Sequence, residues 1–85
     1  MIIHTTSKFR KAYKKMPEIV KKKAEEKERI FLKNPFDGRL DAHKLHGKYR
    51  NYHAFTVVGQ YRIMFIFVDS GIVDFINIGT HEIYK

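Results

Sequence analysis

Five histidines are the side chains of this chain that can exchange a proton near neutral pH, and they stand at positions 4, 43, 46, 53 and 81. One arginine, Arg62, sits at the start of an otherwise apolar run, Tyr61-Arg62-Ile63-Met64-Phe65-Ile66-Phe67-Val68. A histidine gives or takes a proton in a transition state, and a guanidinium holds the oxygens of a phosphate in a fork. Tyr49, Tyr52 and Tyr84, with Lys48 and Arg50, add rings that stack on unpaired bases and cations that follow a phosphate chain. Base, acid, cation and stacking rings are the equipment for cutting RNA.

Other chemistries have less support. The chain has no cysteine, and His43 and His46, three residues apart, lack a third ligand at a persuasive spacing, so no metal and no cofactor is expected. No Gly-x-Ser-x-Gly, P-loop or dinucleotide fingerprint occurs. His4 reads as structural. Each candidate also has a structural alternative. Arg62 could pair with Asp69, Asp74 or Glu82, His81 could be a polar strand end, His43 a cap, and Tyr84 a packing residue.

Eighty-five residues make one small domain over 1–85, with room for a single core. The net charge is +8, and it is uneven: residues 1–33 carry 11 basic and 4 acidic side chains, residues 51–85 only 2 and 3. A basic field on the N-terminal half favours a polyanion or an acidic protein partner, against the alternative of a solvated lysine-rich helix surface. No apolar run reaches the length of a membrane span and the N-terminus lacks a signal-peptide pattern, so a cytoplasmic protein without membrane contact is expected.

The elements that must position these residues follow from patterning. Ile2-Ile3-His4-Thr5 predicts an edge strand, and Thr6 or Ser7 an N-cap for a helix with Phe9, Ala12, Tyr13 and Met16 on one face. Pro17 predicts a break and a second helix to about Lys33, ended by Asn34-Pro35. Residues 36–50 read as a turn-rich, basic surface segment anchored by Leu40 and Leu45. Three strands follow, Tyr52 to Val58, Tyr61 to Val68 and Ile72 to about Thr80, the middle one central and covered on both faces. Gly59-Gln60 suits a glycine-first two-residue hairpin, which pairs positions summing to 119. That register puts His53, Phe55 and Val57 with Ile66, Met64 and Arg62 on a working face, and Ala54, Thr56, Val58, Tyr61, Ile63, Phe65 and Phe67 against the helices. The expected fold is α+β, two helices on one side of a mainly antiparallel sheet in the order β-α-α-β-β-β.

Four pieces in order carry a resemblance: Leu40-Asp41-Ala42-His43-Lys44-Leu45-His46-Gly47, Tyr49-Arg50-Asn51-Tyr52-His53, Gly59-Gln60-Tyr61-Arg62-Ile63-Met64-Phe65, and Ile78-Gly79-Thr80-His81-Glu82-Ile83-Tyr84. Together they resemble the RelE/ParE toxin superfamily, nearest its YafQ-like branch. The resemblance implies a RelE-like microbial RNase fold. It further implies the toxin of a type II toxin-antitoxin pair that cuts mRNA on the ribosome and is held inactive by a cognate antitoxin. The antitoxin should be acidic, given the +8 charge.

Residue by residue, His43, His53 and His81 match histidines of YafQ-like members, and Arg62 the arginine set on the scissile phosphate. Tyr84 resembles a C-terminal tyrosine of RelE. Arg62 would then stabilise the phosphate, His81 act as acid, and His53 or His43 as base, with Lys44, Lys48, Tyr49 and Arg50 holding RNA. The chain departs from the pattern twice. No aspartate lies between His53 and Arg62, and Phe55 stands where RelE has a strand lysine. The alternatives are a ParE-like gyrase-binding toxin, which generally lacks the histidine set, and a basic RNA-binding module without catalysis.

Overall fold

The computed structural model describes residues 1–84. Strand β1 spans Ile2–Thr5, and the next residue, Thr6, caps helix α1, Ser7–Lys14. The Thr6 hydroxyl oxygen accepts from the Phe9 amide at 3.0 Å while its proton goes to the Ile76 carbonyl at 2.9 Å. One threonine therefore starts α1 and ties it to the far end of the chain.

Pro17 takes extended backbone (ψ 151°) and helix α2 begins behind it, Glu18–Lys33. Asn34, forced out of the helical region by Pro35, ends α2 as expected. The helices lie over a five-stranded sheet: β2 His43–Lys44, β3 His53–Val58, β4 Tyr61–Asp69 and β5 Ile72–Gly79 join β1 in the order β1-β5-β4-β3-β2. All neighbours are antiparallel except β1 and β5. The predicted α+β architecture holds, with β4 central.

Phe31 of α2 is the hub of the core. Its ring centroid lies 5.2 Å from Phe55, 5.0 Å from Phe65 and 5.4 Å from Phe75, one phenylalanine from each of β3, β4 and β5. Burying each ring contributes roughly 1.5–3 kcal/mol, so this cluster fixes the sheet against α2.

Three expectations need correction. First, the sheet has an extra strand, the two-residue β2, inside the segment read as a surface connection. Second, β4 is covered on both faces only at Ile63, Met64 and Phe65, and Phe67 and Val68 beyond them are exposed. Third, the β3–β4 register sums to 119 only at Val58–Tyr61, next to the turn. A bulge at Val57 moves the remaining pairs to 118: Thr56 with Arg62, Phe55 with Ile63, Ala54 with Met64 and His53 with Phe65.

A one-residue slip exchanges the faces of a strand. His53, Phe55 and Val57 therefore turn toward the helices, and Ala54 and Thr56 join Arg62 and Met64 on the opposite face. The face assignment of Ile63, Phe65, Arg62 and Met64 on β4 stands; that of β3 is reversed from His53 to Val57, while Val58, beyond the bulge, packs on the core as expected. Gly59 itself has φ 55°, and Gln60 does not share the positive φ, as a glycine-first turn requires.

Candidate functional site

The open face gathers its polar groups at the end of the sheet where the β3–β4 turn lies. A cavity of about 250 Å³ there is lined by His43, Gln60, Arg62, His81 and Tyr84. Residues 41 positions apart or less, drawn from β2, the turn, β4 and the segment after β5, meet at one hollow. Four of the five catalytic candidates are here.

Arg62 is held from beneath. Its Nη1 donates to the Gly59 carbonyl at 2.8 Å and to the Tyr61 carbonyl at 3.2 Å. Among the described residues no ion pair joins it to Asp69 or Asp74. Among the described residues no hydrogen bond is made by its Nε or Nη2 protons. The two carbonyls thus fix the direction of the positive charge.

Gly79 makes this arrangement fit. It faces Arg62 across the β4–β5 ladder, and a Cβ there would come within 2.8 Å of Ile83 Cγ2. Ile83 is buried within the short 3₁₀ segment His81–Tyr84, which packs beside β4 and β5. The close approach carries His81 and Tyr84 to the hollow.

His43 is oriented by backbone. Its Nδ1 lies 3.2 Å from the Asp41 carbonyl oxygen, which can only accept, so the proton sits on Nδ1 and the Nε2 lone pair is the basic one. Asp41 has the left-handed conformation, φ 49°, that aims this carbonyl. His81 is exposed, with Nε2 3.4 Å from a Glu82 carboxylate oxygen. Burial raises the Tyr84 phenol above its ordinary range, and the nearby Arg62 charge opposes that rise.

Tyr84 also lines a second hollow, of about 350 Å³, with Leu45, His46, Lys48 and Tyr49. The Lys48 ammonium stands 5.2 Å from the Tyr49 ring centre, and Tyr49 packs edge-on to Tyr52 at 5.9 Å. A basic, aromatic strip therefore continues from the Arg62 hollow. Lys44 and Arg50 are exposed but line neither cavity. Gln60 was not singled out by sequence, since a polar turn residue carries no signal of its own.

His53 is not at the hollow. The bulge turns it to the helix side, where its ring stacks on Phe65 at 5.4 Å and contacts Phe67 at 5.3 Å and Phe36 at 6.0 Å. Its Nδ1 is buried without a hydrogen-bond partner. Burial, then the charges of Lys44 and His43, push its pKa below the ordinary histidine value. Phe55, at the position of the RelE lysine, is wholly buried in the core.

Among the described residues no three His, Cys, Asp or Glu side chains cluster as metal ligands, and no helix is long and apolar enough to cross a membrane.

A two-helix layer on a five-stranded sheet, with a basic hollow at one sheet end, defines the class of this chain. Solved structures share this fold. YafQ from Escherichia coli BL21(DE3) superposes with a TM-score of 0.75 at 18% identity, over 98% of this chain and 96% of that one. The YoeB/ParE toxin from Agrobacterium tumefaciens gives 0.81 at 19%, over 95% and 99%. The RelB–RelE antitoxin–toxin complex from Methanococcus jannaschii gives 0.75 at 25%, over 96% and 95%. The fold is that of the RelE/ParE toxin superfamily. No protein-family model and no curated protein matches the sequence.

Proposed function

We propose that this chain is the toxin of a type II toxin-antitoxin pair and acts as a ribosome-dependent endoribonuclease on mRNA. The observation that carries the reading is the Arg62 guanidinium, held by two backbone carbonyls, sharing one hollow with His43, His81 and Tyr84. Solved neighbours crystallised with antitoxins support the partner, and the +8 charge supports an acidic one.

In the reaction a ribose 2′-oxygen attacks the adjacent phosphorus and the 5′-oxygen bond breaks. His43 Nε2 takes the 2′-hydroxyl proton, its tautomer held by the Asp41 carbonyl. Arg62 donates Nε–H and Nη2–H to the non-bridging oxygens, where a charge fixed in advance acts most strongly. His81, protonated, gives its proton to the leaving 5′-oxygen. The products are a 2′,3′-cyclic phosphate and a 5′-hydroxyl. Each proton transfer supplies typically ~10²–10⁴-fold. With His53 turned away, the base role falls to His43. Lys48, Tyr49 and Arg50 hold the flanking strand, by charge and by stacking.

Expressing the protein in a translation extract and mapping mRNA ends by primer extension tests this. New ends with 5′-hydroxyls are expected. Intact mRNA together with arrested DNA replication would replace the reading with the gyrase-binding one.

A further inference from the structure

A hollow of about 540 Å³ lies along the second half of α2 and shares no lining residue with the Arg62 cavity. Glu26, Arg29, Ile30, Leu32 and Lys33 of α2 line it, and Arg39 completes it from the segment after the helix. That segment is held in place. The Lys27 ammonium donates to the Arg39 carbonyl at 2.9 Å, Leu40 beside it is buried in the core, and the Asp37 carboxylate accepts from Arg39 Nε and Nη2, each at 3.0 Å. Leu32 is 43% exposed, on a helix that buries Val20, Ala24 and Phe31. An exposed leucine alone marks nothing, but this one stands in a groove with Arg29, Lys33 and Arg39.

We infer that this hollow is the docking groove for an acidic amphipathic helix of a protein partner, with apolar residues every three or four positions and carboxylates flanking them. The inference stands on this face alone and needs no role for Arg62. Three observations select that occupant. Among the described residues no ion pair involves Arg29 or Lys33, and Glu26, the one carboxylate lining the groove, lies 3.4 Å from Lys23, so cations flank an apolar strip of Ile30 and Leu32. The long wall is a helix whose backbone groups are bonded within it, so the groove offers no open ladder to an extended strand and suits a helix laid against it. None of the lining residues is aromatic, so a nucleic acid would meet charge there and no ring on which to stack a base. From Glu26 to Lys33 the groove follows α2 for about 10 Å, roughly two turns, the length of one short apolar stripe on an incoming helix.

The test uses the purified full chain, with amide shifts followed by NMR and affinity by calorimetry. The probe is a synthetic acidic peptide of about four helical turns, leucine at every third or fourth position and glutamate and alanine elsewhere. Its controls are the same peptide with the leucines scattered around the helix, the same peptide with lysine for glutamate, and oligouridine. The acidic amphipathic peptide should bind more tightly than either peptide control and shift Arg29, Leu32, Lys33 and Arg39. Leu32→Ser, at an exposed position, should weaken it roughly tenfold, the scale of one leucine buried at a contact. Arg29→Gln combined with Lys33→Gln should weaken it and reduce its sensitivity to salt. Equal affinity for either peptide control, equal affinity in Leu32→Ser, shifts confined to α1, or no binding at all overturns the docking groove. Oligouridine that shifts Arg29, Lys33 and Arg39 as far as the peptide does makes this a nucleic-acid surface, and overturns it too.

Discussion

Arg62 and Gly79 face each other across the β4–β5 ladder, and the missing side chain at Gly79 is what lets Ile83 seat against the sheet. The turn that Ile83 anchors is the one that carries His81 and Tyr84. Arg62, His81 and Tyr84 are thus brought together where one methyl group is absent.

Gly79→Ala should accordingly displace the final turn. Overpacking of this kind costs about 1–3 kcal/mol, and the Ile83 contact is a β-branched methyl with little freedom to move aside. The expected outcome is a lowered thermal midpoint together with a loss of cleavage larger than the stability change explains. Thermal melts and primer extension on the same preparation check it.

Asp41 offers a different kind of control, because its left-handed backbone aims the carbonyl at His43. Asp41→Gly keeps that conformation at no steric cost and should retain cleavage. Asp41→Val should cost roughly 1–2 kcal/mol and lower cleavage as His43 loses its tautomeric support. Equal activity of the two variants would remove the positioning role.

His53 predicts a pH dependence of folding. Its folded pKa lies below the ordinary value near 6.5, so in the window between the two the unfolded chain binds more protons. Stability from this group is full above pH 6.5 and is lost as pH falls toward the folded value. His53→Phe should flatten the fall in thermal midpoint between neutral and mildly acidic pH. A slope unchanged in the variant would assign the acid sensitivity to other groups.

Contact with the proposed antitoxin should be electrostatic in large part, given the basic N-terminal half. Raising salt to 1 M shortens the Debye length to ~3 Å and should loosen the complex measurably by calorimetry. A complex unchanged at that strength would mark an apolar contact instead.

The readable parts of the fold were those with a local physical cause. Thr6 caps, Pro17 breaks, Pro35 stops, and the composition of residues 61–68 marks a central strand. The bulge at Val57 had no such local mark. It shifts the pairing of two strands by one residue, and it puts His53 on the face opposite to the one expected. β2 escaped because His43 and Lys44 are both exposed, with no alternation to betray two residues of ladder. The hollow was legible in its residue types, through Arg62, His43, His81 and Tyr84. Gln60 and the restraint of Arg62 by the Gly59 and Tyr61 carbonyls arise from the turn's closure, which no spacing encodes.

The most direct measurement is the rate of mRNA cleavage in a translation extract for wild type, Arg62→Ala and His81→Gln, with circular dichroism confirming folded protein. A loss of at least ~10²-fold in each variant, with folding intact, is the predicted result. Cleavage by either variant at the wild-type rate would contradict the assignment of this hollow as the catalytic centre.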